Sequence, residues 1–100
     1  MYAVVSLHTL TDAKDYVTTE ENHEVRPFAD LAAAQRFAAG AKERFESTIK
    51  KQLEAKDGQN GSTYYDFGAC RIYDEKGDLL FHVRGDGKLV DTKADRAIDL

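Results

Sequence analysis

The sequence predicts an α+β domain of order β-β-α-β-β, one antiparallel sheet of four strands, or five with a short C-terminal edge, carrying a single long helix on one face. Three observations predict it. Apolar residues recur at helical spacing through the middle of the chain, from Leu31 to Leu53. The segments on either side are rich in β-branched and aromatic residues. Gly and Asp cluster between those segments, where turns belong. With 42% hydrophobic and 32% charged residues in 100, the chain suits one domain, 1–100, and is too apolar for wholesale disorder.

Residues 2–10 read as the first strand, with Ala3, Val5 and Leu7 on one face and Tyr2, Val4, Ser6 and His8 on the other. Thr11–Asp15 has turn chemistry. Tyr16–Thr19 is β-prone and makes a weaker second strand; Glu20–Glu24 reads as a solvated loop or a ragged strand edge, and Val25 resumes pairing until Pro27 ends it. Asp30 is a good N-cap for the helix. Leu31, Ala34, Phe37, Ala38, Ala41, Phe45, Ile49 and Leu53 then form one apolar stripe, giving a helix over about 30–56, closed by Asp57-Gly58. Gly40 lies on the opposite side and is expected to loosen this helix without dividing it.

After a loop through Gly61, Thr63–Tyr73 reads as a strand. Tyr65, Phe67 and Ala69 have one parity, Cys70 and Ile72 the other, so a β-bulge is expected beside Gly68. Asp74 to Asp78, with Gly77 supplying a positive φ, is a hairpin connection to a strand at Leu79–Val83, whose Leu79, Phe81 and Val83 face inward. Gly85-Asp86-Gly87 turns again and Leu89-Val90 adds an edge. The last ten residues are polar and are expected to fray, with Ile98 and Leu100 able to dock.

Several chemistries find no support. No run of about 18 apolar residues exists to span a membrane, and the N-terminal segment reads as a strand, without the basic start of a signal peptide. Cys70 is the sole cysteine, which suits a reducing cytoplasm. His8, His23, His82 and Cys70 are the soft metal ligands, and none stands at zinc-ligand spacing to another, so neither metal nor cofactor is expected. Asp66 is an exposed-face acid. The glycine turns lack the phosphate-binding fingerprints. An enzyme or ligand carrier would need a Cys70–His82 pair across the hairpin, with His8 beside it.

Charge is distributed unevenly around a net of −4. Asp12, Asp15, Glu20, Glu21 and Glu24 face only Lys14 among residues 1–24, whereas the helical segment carries Arg36, Lys42, Arg44, Lys50, Lys51 and Lys56. The acids fall on turn or edge structure, where a negative field steers association with a basic partner. Tyr2, Tyr64 and Tyr73 are assigned to the uncovered sheet face together with Val4, as residues a protein partner or a homodimer seam would use.

The opening Met1-Tyr2-Ala3-Val4-Val5, the helical Phe28-Ala29-Asp30-Leu31-Ala32-Ala33-Ala34-Gln35-Arg36-Phe37-Ala38 and the Ala69-Cys70-Arg71-Ile72-Tyr73 strand before a glycine hairpin resemble, as an arrangement, small phage- or mobile-element-encoded proteins of the anti-CRISPR inhibitor type. The resemblance implies a stoichiometric inhibitor that blocks a surface of a host nucleoprotein complex, and it assigns a role to no single residue. The reading is therefore a cytoplasmic, non-enzymatic interaction module. It binds a basic protein surface through the acidic edge and the tyrosine-bearing face, and is compatible with homodimerisation. A nucleic-acid module using the basic helix is one alternative; an enzyme or carrier around Cys70 and His82 is the other.

Overall fold

The computed structural model describes residues 1–56 and 63–100. The expected helix stop at Asp57-Gly58 and the loop through Gly61 lie outside those residues. The rest is α+β with one antiparallel sheet, whose described strands are β1 (Tyr2–Asp12), β2 (Val17–Phe28), β3 (Thr63–Tyr73), β4 (Leu79–Val83), β5 (Leu89–Asp91) and β6 (Arg96–Ala97). Their order is β2-β1-β3-β4-β5-β6, six strands where four or five were expected. The C-terminal segment is folded: β6 pairs with β5, the Ile98 amide donates to the Leu89 carbonyl at 2.8 Å, and the Ile98 side chain packs on the core.

β2 is longer than its composition suggested. It runs through Pro27, which sits opposite Ala3, because β2 is an edge strand, where the missing proline N–H is tolerated. Tyr16 belongs to the β1–β2 turn, not to the strand, and holds φ at 56°.

The helical layer is two helices, not one. α1 (Leu31–Ala39) is capped as expected: the Asp30 carboxylate accepts the Ala33 N–H at 3.3 Å. Gly40 then leaves helical geometry (ψ 3°), and a second helix, α2, runs over 41–56. The guanidinium of Arg44 lies over this break, 2.9 Å from where a Cβ on Gly40 would stand. Within α2, Phe45–Ile49 is a π-turn in which the Lys50 N–H reaches the Phe45 carbonyl five residues back.

The apolar stripe falls where it was expected as far as Phe45, with Ala34, Ala38, Ala41 and Phe45 buried. The sheet face beneath it was not anticipated. Val4, Ser6 and His8 lie under the helices, with Cys70, Ile72 and Val83 from β3 and β4. Polar Ser6 and His8 find partners in the core: Ser6 Oγ donates to Cys70 Sγ at 3.2 Å, and His8 meets His23 through its Nδ1. Small residues on both layers (Ser6, Cys70, Ala34, Ala38, Ala41) let the helices approach closely.

Two irregularities set the registers. Between Ser6 and Leu7 the pairing with β2 skips one residue: Ser6 faces Glu24, Leu7 faces Asn22, and His23 is extra. Between Leu7 and His8 the pairing with β3 skips Gly68, which is the bulge expected there. Past Gly68 the parity changes, so Tyr65, Phe67, Cys70 and Ile72 all share the helix side. Gly68 must be bare, because an added Cβ would come within 2.4 Å of Leu7 Cδ1 and 3.1 Å of the Leu7 carbonyl oxygen. A third shift, at Ile72/Tyr73, places Leu79 opposite Tyr73 and turns it outward at 37% exposure, against the expectation that it faces in.

Phe45 closes this core, 5.9 Å from the His8 ring, 5.4 Å from His23 and 6.2 Å from Phe67. Phe45→Ala is expected to destabilise the protein by about 3–5 kcal/mol. Denaturant unfolding checks this, and a change near zero would place the ring outside the core.

Candidate interaction surface

The five acids assigned to the edge divide into two groups. Glu20 and Glu21 lie on β2 opposite Thr9 and His8, both exposed, and Asp15 is exposed in the β1–β2 turn. Asp12 ends β1, and its carboxylate accepts the Lys14 N–H at 2.9 Å, shaping that turn. Glu24 is different. The β2 bulge turns it under the sheet, where its two oxygens accept from Arg44 Nη2 at 3.1 Å and Nε at 3.3 Å, leaving 14% of its side chain exposed. Arg44 also donates to the Phe37 carbonyl at 2.7 Å and lies 3.7 Å over the Phe37 ring. Glu24 therefore clasps the edge strand to the helices and is withdrawn from the exposed edge.

The same contacts remove Arg44 from the basic helix surface. Lys42 sits 3.9 Å from Glu46, while Arg36, Lys51 and Lys56 are exposed with Glu43 and Glu54 interspersed.

Two of the three assigned tyrosines occupy the uncovered face. Tyr64, opposite Thr11, is 59% exposed, and Tyr73, opposite Ala3, is half-buried. Tyr2 does not join them. It pairs with Phe28 and packs against the core on the helix side, as does Val4. In its place the turn supplies an aromatic that the sequence reading missed: Tyr16, 84% exposed beside Asp15. Its ring stands in solvent while its backbone holds a positive φ, closed by the Tyr16 N–H donating to the Asp12 carbonyl at 2.6 Å. Ala13-Lys14-Asp15-Tyr16 is a four-residue loop, and an aromatic at its last position was the available signal.

His8 and His23 form a second unforeseen pair. Their Nδ1 atoms are 3.0 Å apart, so one ring donates and the other accepts. Both Nε2 atoms are buried without a hydrogen bond; His8 Nε2 faces Glu21 Oε2 at 3.5 Å. Burial lowers the pKa of His8, outweighing the attraction of Glu21. Burial and the neighbouring His8 lower that of His23. Spacing could not reveal the pair, since the bulge brings His23 inward. Among the described residues no group of three or more His, Cys, Asp or Glu is placed to hold a metal.

The Cys70–His82 arrangement is not assembled. Cys70 faces Val83 under the helices, fully buried, with its thiol pKa raised by that burial. His82 lies opposite Arg71 on the other side of the sheet, 2.8 Å from Thr92 Oγ1. His8 is remote from His82 for the same reason.

Compared with known proteins, the chain matches no family model, no curated protein and no solved structure. No described helix is long and apolar enough to cross a membrane.

The His pair fixes a sign for pH dependence. The unfolded rings titrate near 6.5 and the folded rings lower, so below that value the unfolded chain binds more protons. Stability is fully present above about 6.5 and falls as the pH drops through the window beneath it. Urea midpoints are expected to fall from about pH 7 to about pH 5, and less steeply in the His8→Phe/His23→Phe variant. Equal slopes in both proteins would contradict the pairing.

Proposed function

We propose that this protein is a non-enzymatic interaction module that presents its β1–β2 hairpin to a basic protein surface. The observation that carries the reading is the edge strand. Among the described residues β2 is paired only with β1, and its neighbourhood displays Asp15, Glu20, Glu21 and the exposed Tyr16 at positive φ. An open strand edge offers backbone donors and acceptors to an extended segment of a partner, and the acids select a segment rich in Lys and Arg. The acids also guard the edge against pairing with a second acidic copy of itself.

The finer version, an inhibitor that occupies a basic surface of a host nucleoprotein complex, fits the same edge, because carboxylates on a rigid strand can stand where phosphates otherwise bind. The basic helix is the weaker reading: Arg44 is turned inward and its neighbours are diluted by Glu43, Glu46 and Glu54.

Two variants test the proposal. Capture of a basic partner from lysate, with nuclease added, is expected to be salt-sensitive and lost in Asp15→Lys/Glu20→Lys, which spares Glu24 and Glu21, the two acids that contact Arg44 and His8. Unchanged capture, or recovery only of nucleic acid that Lys50→Glu/Lys51→Glu abolishes, would overturn it. Tyr16→Gly is expected to weaken capture while raising stability by about 1 kcal/mol, since glycine relieves the positive φ. Thermal melts read the second effect, and a loss of stability would contradict the assignment of strain.

A further inference from the structure

The uncovered sheet face, distinct from the β2 edge, carries a pattern along β3 that reads nearly the same in both directions. Its residues in order are Tyr64, Asp66, Ala69, Arg71 and Tyr73, opposite Thr11, Thr9, Leu7, Val5 and Ala3 of β1. The Gly68 bulge absorbs the extra residue between Asp66 and Ala69, so Asp66 and Arg71 each stand one outward-facing step from Ala69. The tyrosines stand one step further. Tyr64 and Asp66 are exposed, and Arg71 and Tyr73 are half-buried. Neither the Asp66 carboxylate nor the Arg71 guanidinium has an ion pair or hydrogen bond among the described residues. The middle of the face is small and apolar: Ala69 and Gly68 beside Leu7 and Val5.

We propose that this face is the seam of a symmetric dimer, in which β3 of one copy lies across β3 of the other about a two-fold axis over Ala69. Such an axis reverses the strand direction. It sets Arg71 over the partner's Asp66, Asp66 over the partner's Arg71, and Tyr73 over the partner's Tyr64. An isologous interface requires this self-complementarity, residue i meeting j and j meeting i. Face-packed sheets stand about 10 Å apart and cross at about 30°, and a step of two residues is about 6.6 Å, so the charged pairs stay within reach despite the crossing. The small centre lets the sheets close to that distance, and the tyrosines supply contact area with a polar tip on either side. A second copy is favoured over an unrelated partner because the complement of every element of the pattern is already present on the face itself. The dimer leaves the β2 edge available for the function proposed above, and neither claim depends on the other.

Sedimentation equilibrium over a range of concentrations tests the seam. The native protein is expected to be dimeric. Asp66→Arg and Arg71→Asp are each expected to be monomeric, because each sets like charges opposite one another. Mixed in equal amounts, the two variants are expected to reassociate as a heterodimer, since every facing pair is then opposite in sign. Tyr64→Lys, on a ring 59% exposed, is a second disruptive variant, and circular dichroism confirms that each variant is folded. A native protein monomeric at every concentration would overturn the proposal. So would reversals that remain dimeric, or a mixture that stays monomeric.

Discussion

Two β-bulges bracket β1 at Leu7, one opposite each neighbouring strand, and most of the molecule is arranged around them. On one side His23 is the extra residue of β2; on the other Gly68 is the extra residue of β3. Each bulge changes which side chains face the helices. The first brings His23 and Glu24 inward in succession, and the second aligns Tyr65 and Phe67 with Cys70 and Ile72. Phe45 enters between the two, against His8, His23 and Phe67. A regular sheet would offer this ring no such seat, because strict alternation would send half of these side chains to the far face.

The division of charge follows from the same geometry. Glu24 turns under β2 and meets Arg44, which reaches it by folding back over Gly40 and the Phe37 ring. That contact ties the edge strand to α2 beside the break at Gly40. It also separates an acid that holds the fold from those left on the surface. On β3 the Gly68 bulge performs the matching division, leaving Tyr64 and Asp66 outside while Tyr65 and Phe67 pack within.

The sequence revealed the elements better than it revealed their faces. The Leu31-to-Phe45 stripe, the Asp30 cap, the bulge beside Gly68 and the Gly77 hairpin were all legible, because each depends on residues close together in the chain. The facing of β1 was not. Ala3, Val5 and Leu7 look like a core face until Ser6 finds Cys70 and His8 finds His23, contacts that no local pattern encodes. Tyr2 and Glu24 were misplaced on the surface for the same reason, and Gly40 was judged by propensity alone, without the guanidinium that lies over it. Of the surface residues, Asp15, Glu20, Glu21, Tyr64 and Tyr73 stand exposed or on the open face as their positions implied, whereas Tyr16 required the turn geometry to be seen.

Both proposed surfaces are outcomes of the bulges, one through the edge they shape and one through the face they pattern, so the registers themselves are the central claim. Nuclear Overhauser contacts between backbone protons of β1 and its two neighbours measure them directly. The structure requires Ser6 opposite Glu24 and Leu7 opposite Asn22 on one side, Leu7 opposite Ala69 and His8 opposite Phe67 on the other, with the Phe45 ring contacting His23 and Phe67. Uninterrupted pairing from the β1–β2 turn, with Ser6 opposite His23 and no contact between His23 and Phe45, would contradict the account.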